Sequence, residues 1–261
     1  MRSRRPTIPP AELVLVRHGE SVGNVAAQEA SERGMGRLDL PYRDPDTPLS
    51  ATGKEQARAL GAFVATLPPR RRPDVLLGSP YVRAASTMTA ALAQWPDSPQ
   101  PVLDERLRER DLGLFDGMTG AGIRDTYPEE ATRRASMGKF YYRPPGGESW
   151  TDVVLRVRDV VRDLHTVHAR RRVWVFTHQA VIMAFRYLLE ALDEDDVLRL
   201  DAESPLANCS LTVYRPDRRA GLALVTAGSV EHLEQSPART THESPHTSAD
   251  VRGDTTGGHR G

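Results

Sequence analysis

The stretch Leu13-Val-Leu-Val-Arg-His-Gly-Glu-Ser21 constrains this fold most, because four apolar residues carry an arginine and a histidine straight into a glycine turn. Far along the chain, Val173-Trp-Val-Phe-Thr-His178 repeats the pattern with a second histidine. Short apolar runs bounded by turns predict buried strands of a parallel sheet. Ligands of open α/β sheets bind beyond the carboxyl ends of the strands. Two imidazoles and a guanidinium delivered to one such edge suit an anion, above all a phosphate.

With 261 residues, 39% of them apolar, the chain can build one large α/β domain or two small ones. Its 35 basic and 35 acidic residues cancel. No global positive field then favours nucleic acid, so anion affinity must be local. Cys209 is the only cysteine, which excludes an intrachain disulfide. No apolar stretch approaches the roughly 20 residues of a membrane span. The basic opening of the chain lacks the apolar core of a signal peptide. These features predict a cytoplasmic protein with neither nucleic-acid nor membrane partners.

Residues 1–10 read as a flexible arm and 11–234 as one domain. From residue 235 to 261 the composition is Ser, Thr, Pro, Gly, His and charge, which predicts a disordered tail. No internal repeat is present. Strand and helix signals alternate between the ends. After the strand at 12–17, Ser50 is expected to cap a helix to about residue 66, with Ala57, Leu60, Gly61 and Val64 on one face. A strand at 75–77 precedes Ser79 as expected N-cap, with Pro80 at the first helical position and Arg83 in the first turn. A short strand near 101–104, a looser helical insert over 119–140 and a helix capped by Ser149 follow. A strand at 173–177 leads to a helix over 179–192, and edge strands near 208–214 and 221–226 finish the domain. The pattern predicts a three-layer α/β/α sandwich around a mostly parallel sheet with an antiparallel edge.

His18 can attack phosphorus in line, since a neutral imidazole is available near pH 7. Arg17 offers a planar fork to phosphate oxygens. A lone histidine of this kind usually just closes a strand; the second strand-end histidine, His178, argues for chemistry instead. Thr177-His-Gln179 also opens a helix whose free amides favour an anion. Arg83 sits where it opposes the helix dipole slightly. A proton for the leaving oxygen requires an acid. Spacing alone leaves Asp104, Glu105, Glu109 and Asp111 open for that role.

Taken together, Arg17-His-Gly-Glu-Ser with Asn24, Leu49-Ser-x-x-Gly53-x-x-Gln56-Ala57, Ser79-Pro-x-x-Arg83-Ala84, Glu109-x-x-x-Gly113 and His178 resemble the phosphoglycerate mutase-like histidine phosphatase superfamily. The resemblance runs from about Glu12 to Glu231. It implies His18 as nucleophile and Glu109 as proton donor. It also implies Arg17, Arg83 and His178 around the phosphoryl group, and Gly19, Asn24, Gln179 and Lys139 as further substrate contacts. No metal and no organic cofactor is implied, and the expected partner is a small phosphorylated substrate.

Within that family, Met118-Thr119, Tyr127-Pro-Glu-Glu130, Lys139, Tyr142-Arg143, Gly147-Glu-Ser149, Asp152 and His178-Gln-Ala-Val181 are similar to fructose-2,6-bisphosphatase domains. A tyrosine and two arginines that hold the second phosphate there fall here at about Gly120, Ala135 and Met183. A further tyrosine becomes Trp150. Losing such charge-assisted bonds, each worth about 1.5–3 kcal/mol, argues against a sugar bisphosphate. The sequence therefore predicts a phosphomonoester hydrolase working through phosphohistidine. A mutase using the same pocket and a catalytically silent phosphate- or phosphoprotein-binding module are the alternatives.

Three weaker signals compete. Cys209 and Arg215 match the spacing of cysteine phosphatases, but the residues between them alternate like a strand. His165 and His168, three apart on a helix, lack further ligands for a metal. Phe140, Tyr141, Tyr142 and Trp150 either wall a pocket or pack the insert onto the domain.

Overall fold

The computed structural model describes residues 8–217 and 221–242. From the amino end run β1 (Glu12–Arg17), α1 (Val22–Glu32), α2 (Ala51–Thr66), β2 (Val75–Gly78), α3 (Val82–Leu92) and β3 (Val102–Leu103). The insert holds α4 (Gly120–Thr126) and α5 (Pro128–Met137), divided where Tyr127 precedes Pro128. Then come α6 (Trp150–Thr166), β4 (Arg172–Thr177), α7 (Gln179–Leu189), α8 (Glu194–Glu203), β5 (Leu211–Asp217), β6 (Gly221–Ser229) and α9 (Glu231–Glu234).

The strands form one sheet in the order β3-β2-β4-β1-β5-β6. The first four are mutually parallel and the last two antiparallel, as expected. Side chains alternate across the sheet and divide the core in two. Leu13, Leu15, Val173 and Val175 pack with the valine stripe of α6 and nearly all of α7. Val14, Val16, Trp174 and Phe176 face the other way, against Leu60 and Val64 of α2, Met88 of α3 and Leu233 of α9. α2, which comes after β1 and α1, and α7, which follows β4, thus lie on opposite faces, although β1 and β4 are neighbours. In such sheets, ligands bind beyond the carboxyl ends of neighbouring strands whose helices diverge in this way.

Caps fix the helix starts. Ser21, Ser50 and Ser149 each accept the amide three residues on, and Asn24 and Asp152 complete reciprocal capping boxes. Ser79 departs from expectation. α3 begins at Val82, behind Tyr81, so Ser79 and Pro80 lie before the helix and the serine hydroxyl is released for another use. α7 stops at Leu189, where Ala191 has turned to a φ of 52°. β5 starts three residues late because Cys209 adopts a φ of 59° and turns the chain.

The chain ends also differ. Residues 236–242 fold back on the domain rather than leaving it: Ala238 is buried, and Ala207 bridges to His242. Pro9 accepts a hydrogen bond from Arg170 N at 3.0 Å. The remainder of the expected tail, 243–261, and residues 1–7 of the expected arm lie outside the described residues. Among the described residues no helix is long and apolar enough to cross a membrane.

Candidate active site

Register alone brings the two histidines together. β1 pairs with β4 so that Arg17 lies opposite Thr177, which puts His18 beside His178; His18 N–H donates to Thr177 O at 2.9 Å. Their rings lie 5.1 Å apart and both are buried. On the far side of β4, Gly78 pairs with Phe176, so Ser79 ends level with Thr177, one residue before His178.

Hydrogen bonds fix which nitrogen of each ring can react. His18 Nδ1 lies 2.8 Å from Gly19 O, a pure acceptor, so that nitrogen carries the proton. The lone pair is then on Nε2. Ser79 Oγ accepts from Tyr81 N at 3.2 Å, so its own proton can go to His178 Nε2, 2.8 Å away. The proton of neutral His178 then sits on Nδ1, which is buried and has no hydrogen-bond partner among the described residues. An orphaned buried donor costs roughly 1–3 kcal/mol, and such atoms commonly mark a ligand position. Burial pushes both pKa values well below the usual 6.5, helped in each case first by the Arg83 guanidinium. Both rings are therefore neutral at pH 7.

The cations arrive from one strand and one helix. Arg17 closes β1, is wholly buried, and donates through Nη1 to Leu206 O. Arg83 projects from the first turn of α3, 5.3 Å from the face of the Tyr81 ring, which in turn meets His178 edge-on at 5.4 Å. Its position against the helix dipole is offset by Asp44, which binds the guanidinium.

Glu109 sits half-buried in a loop lashed to the same edge. Thr177 Oγ1 donates to Leu107 O at 2.8 Å, and Arg156 donates to Arg106 O and Glu109 O at 2.6 and 3.2 Å. The loop is thus tied to the residue preceding His178. Glu109 Oε1 accepts the amide of Arg110 at 2.8 Å.

Other expected contacts are placed differently. Gly19 sends its amide to Thr87 Oγ1 at 3.0 Å rather than toward an anion. A Cβ there would meet Gly53 O at 2.7 Å, so close backbone packing accounts for this glycine. The carbonyl of Asn24 is used by the α1 cap and by Asn208 Nδ2 at 3.2 Å. Gln179 has both ends engaged, donating to Asp201 at 3.0 Å and accepting from Leu206 N at 3.2 Å. It supports Arg17 through Leu206. Lys139 pairs with the same Asp201 at 3.2 Å, and both Lys139 and Arg110 lie over the Trp150 ring. Ser79, Tyr81 and Asp44 are members of the site that sequence reasoning passed over.

The competing signals dissolve. Cys209 is buried and its thiol is pushed up to about 12, the reverse of a nucleophile's requirement. Among the described residues no group of three or more metal-ligating side chains assembles, around His165 and His168 included. Phe140 and Trp150 belong to the main core and Tyr142 to a small cluster under the insert, so the insert aromatics mainly pack.

Loss of the Ser79 hydroxyl should release the His178 tautomer while sparing the fold. Ser79→Ala is expected to lower kcat about tenfold with little change in Tm, because one neutral hydrogen bond of ~1 kcal/mol is removed. Steady-state kinetics alongside thermal melting checks this, and an unchanged kcat would reject the tautomer argument.

Comparison with known proteins agrees with this geometry. The family model described as "Histidine phosphatase superfamily (branch 1)" matches residues 13–227. The rat protein named 6-phosphofructo-2-kinase/fructose-2,6-bisphosphatase 3 is 32% identical over 193 residues, 72% of this chain but only 29% of the rat protein. A 2,3-bisphosphoglycerate-dependent phosphoglycerate mutase of Methylobacterium radiotolerans is 32% identical over 228 residues, 80% of this chain and 98% of the mutase. Among solved structures, a mycobacterial glucosyl-3-phosphoglycerate phosphatase superposes with a TM-score of 0.65 at 26% identity. That alignment covers 84% of this chain and 99% of the phosphatase.

Proposed function

This chain belongs to the histidine phosphatase superfamily, and from that membership we propose that it hydrolyses a phosphomonoester through a phosphohistidine intermediate. One observation carries the reading: two neutral, buried imidazoles 5.1 Å apart, with oppositely assigned roles for their nitrogens, beside Arg17 and Arg83. His18 Nε2 attacks phosphorus, the N–P bond forms and the P–O bond to the alcohol breaks. Glu109 gives its proton to the departing oxygen. Water then attacks the phosphohistidine while Glu109 takes a proton from it, the N–P bond breaks, and phosphate leaves. His178 Nδ1–H, Arg17 and Arg83 stabilise the equatorial oxygens, the contribution that usually dominates such transfers. Asn24 can add its amide, and Gln179 acts by bracing Leu206.

The leaving alcohol is proposed to lack a second phosphate. Lys139, a cation shared with the bisphosphatase domains, is paired with Asp201. Met183 is buried in the core, and Gly120 offers no side chain. The mutase relative keeps a second reading in view: the same pocket returning the phosphoryl group to bound product. A panel of phosphomonoesters, a sugar bisphosphate and phosphoglycerate isomers separates them. Inorganic phosphate release with no isomer exchange is expected; exchange outpacing release would make the protein a mutase.

A further inference from the structure

Asp44 engages both outer nitrogens of Arg83, a guanidinium on which the proposed reaction relies. Arg83 Nη1 donates to Asp44 O at 2.6 Å and lies 3.0 Å from Oδ1, and Nη2 donates to Oδ2 at 3.2 Å. Both outer nitrogens of the fork are thus already in contact with an anion, in the two-pronged arrangement by which guanidinium holds a carboxylate or a phosphate. The contact is built, not incidental. Asp44 opens a short 3-10 turn, Asp44–Asp46, and its own amide donates to Asp116 Oδ2 at 3.3 Å. Thr47 Oγ1 donates to Arg43 O at 3.1 Å, and Val22 N to Pro48 O at 3.0 Å, closing the turn onto the start of α1. The Arg83 side chain is only 6% exposed and that of Asp44 37%, so the guanidinium end of this pair is shielded while the carboxylate end reaches solvent.

We infer that Asp44 competes with the phosphoryl group for Arg83 and so holds down the affinity of the site for inorganic phosphate. This rests on the phosphatase reading. A phosphate reaching Arg83 either displaces the carboxylate or sits within a few ångströms of it, and both weaken its binding. Phosphate is the product of hydrolysis. Two arginines and an imidazole N–H around one oxyanion would otherwise retain it, and the enzyme would be throttled by its own product.

The test is isothermal titration of inorganic phosphate into wild type, Asp44→Asn and Asp44→Glu at one pH and ionic strength, with product inhibition measured in parallel. Asparagine keeps the shape and the backbone contact but removes the charge. Asp44→Asn is expected to bind phosphate about tenfold tighter, a conservative share of what a unit charge at this range exerts at an effective dielectric near 20. Its inhibition constant for phosphate should fall in step, and Asp44→Glu should stay near wild type. Equal or weaker phosphate binding by Asp44→Asn overturns the inference, because Asp44 would then merely position Arg83. Failure of the phosphatase reading has a separate signature: no phosphate release from any ester and no label on His18.

Discussion

Replacing His18 with alanine is expected to abolish turnover while leaving the fold intact. Removing a nucleophile deletes the covalent route itself, and losses on the order of 10³-fold or more are typical of residues that act as one unit. The ring is buried, but its hydrogen bond is to the carbonyl of its own neighbour, Gly19, so truncation strands no distant partner. The backbone around it is held independently, by Thr177 O on one side and Cys209 N on the other. Rapid quench of wild type with labelled substrate should trap phosphate in an acid-labile, alkali-stable form, and the alanine protein should trap none. Unaltered turnover in His18→Ala would refute the nucleophile assignment outright.

Acid should unfold this protein at unusually mild pH. His18, His178 and His232 are all buried, and burial holds each below the ordinary histidine value, His232 at about 4. The unfolded chain keeps values near 6.5. Below that pH the unfolded state takes up protons that the folded state refuses, so stability is whole above about pH 6.5 and drains away as pH falls. Each ring contributes at most about 1.4 kcal/mol per pH unit, and three together about 4, against a typical total of 5–15 kcal/mol. Urea midpoints should therefore drop sharply between pH 7.5 and pH 5.5. In His232→Phe, which keeps a flat ring beside Phe63, the slope should shrink by about one proton. Coincident midpoints at the two pH values would contradict the linkage.

Most of the architecture was readable because it depends on local chemistry. Apolar runs ending in Arg17-His18 and Thr177-His178, and the capping serines Ser21, Ser50 and Ser149, are set by residues next to them in sequence. What escaped the sequence reading depends on contacts between distant segments. Ser79 looks like a helix cap by spacing, but Tyr81 occupies that position and the hydroxyl orients His178, 99 residues away. Asp44 sits in a polar, proline-rich loop, and nothing local says that its carboxylate ends on Arg83. Gln179 resembles an anion contact, but Asp201 and Leu206 engage its amide from α8 and the loop beyond. Polar side chains with several possible partners are settled by tertiary proximity, which periodicity does not encode.

The return of residues 236–242 bears on where the working unit stops. Thr241 O accepts Asn208 N at 2.8 Å, the Thr241 hydroxyl donates to Asn208 Oδ1 at 3.1 Å, and Gln56 donates to Arg239 O at 2.7 Å. Asn208 precedes the Cys209 amide that anchors the backbone of His18. Truncation where hydropathy fades, after residue 234, would remove these contacts and with them a support behind the backbone of the proposed nucleophile.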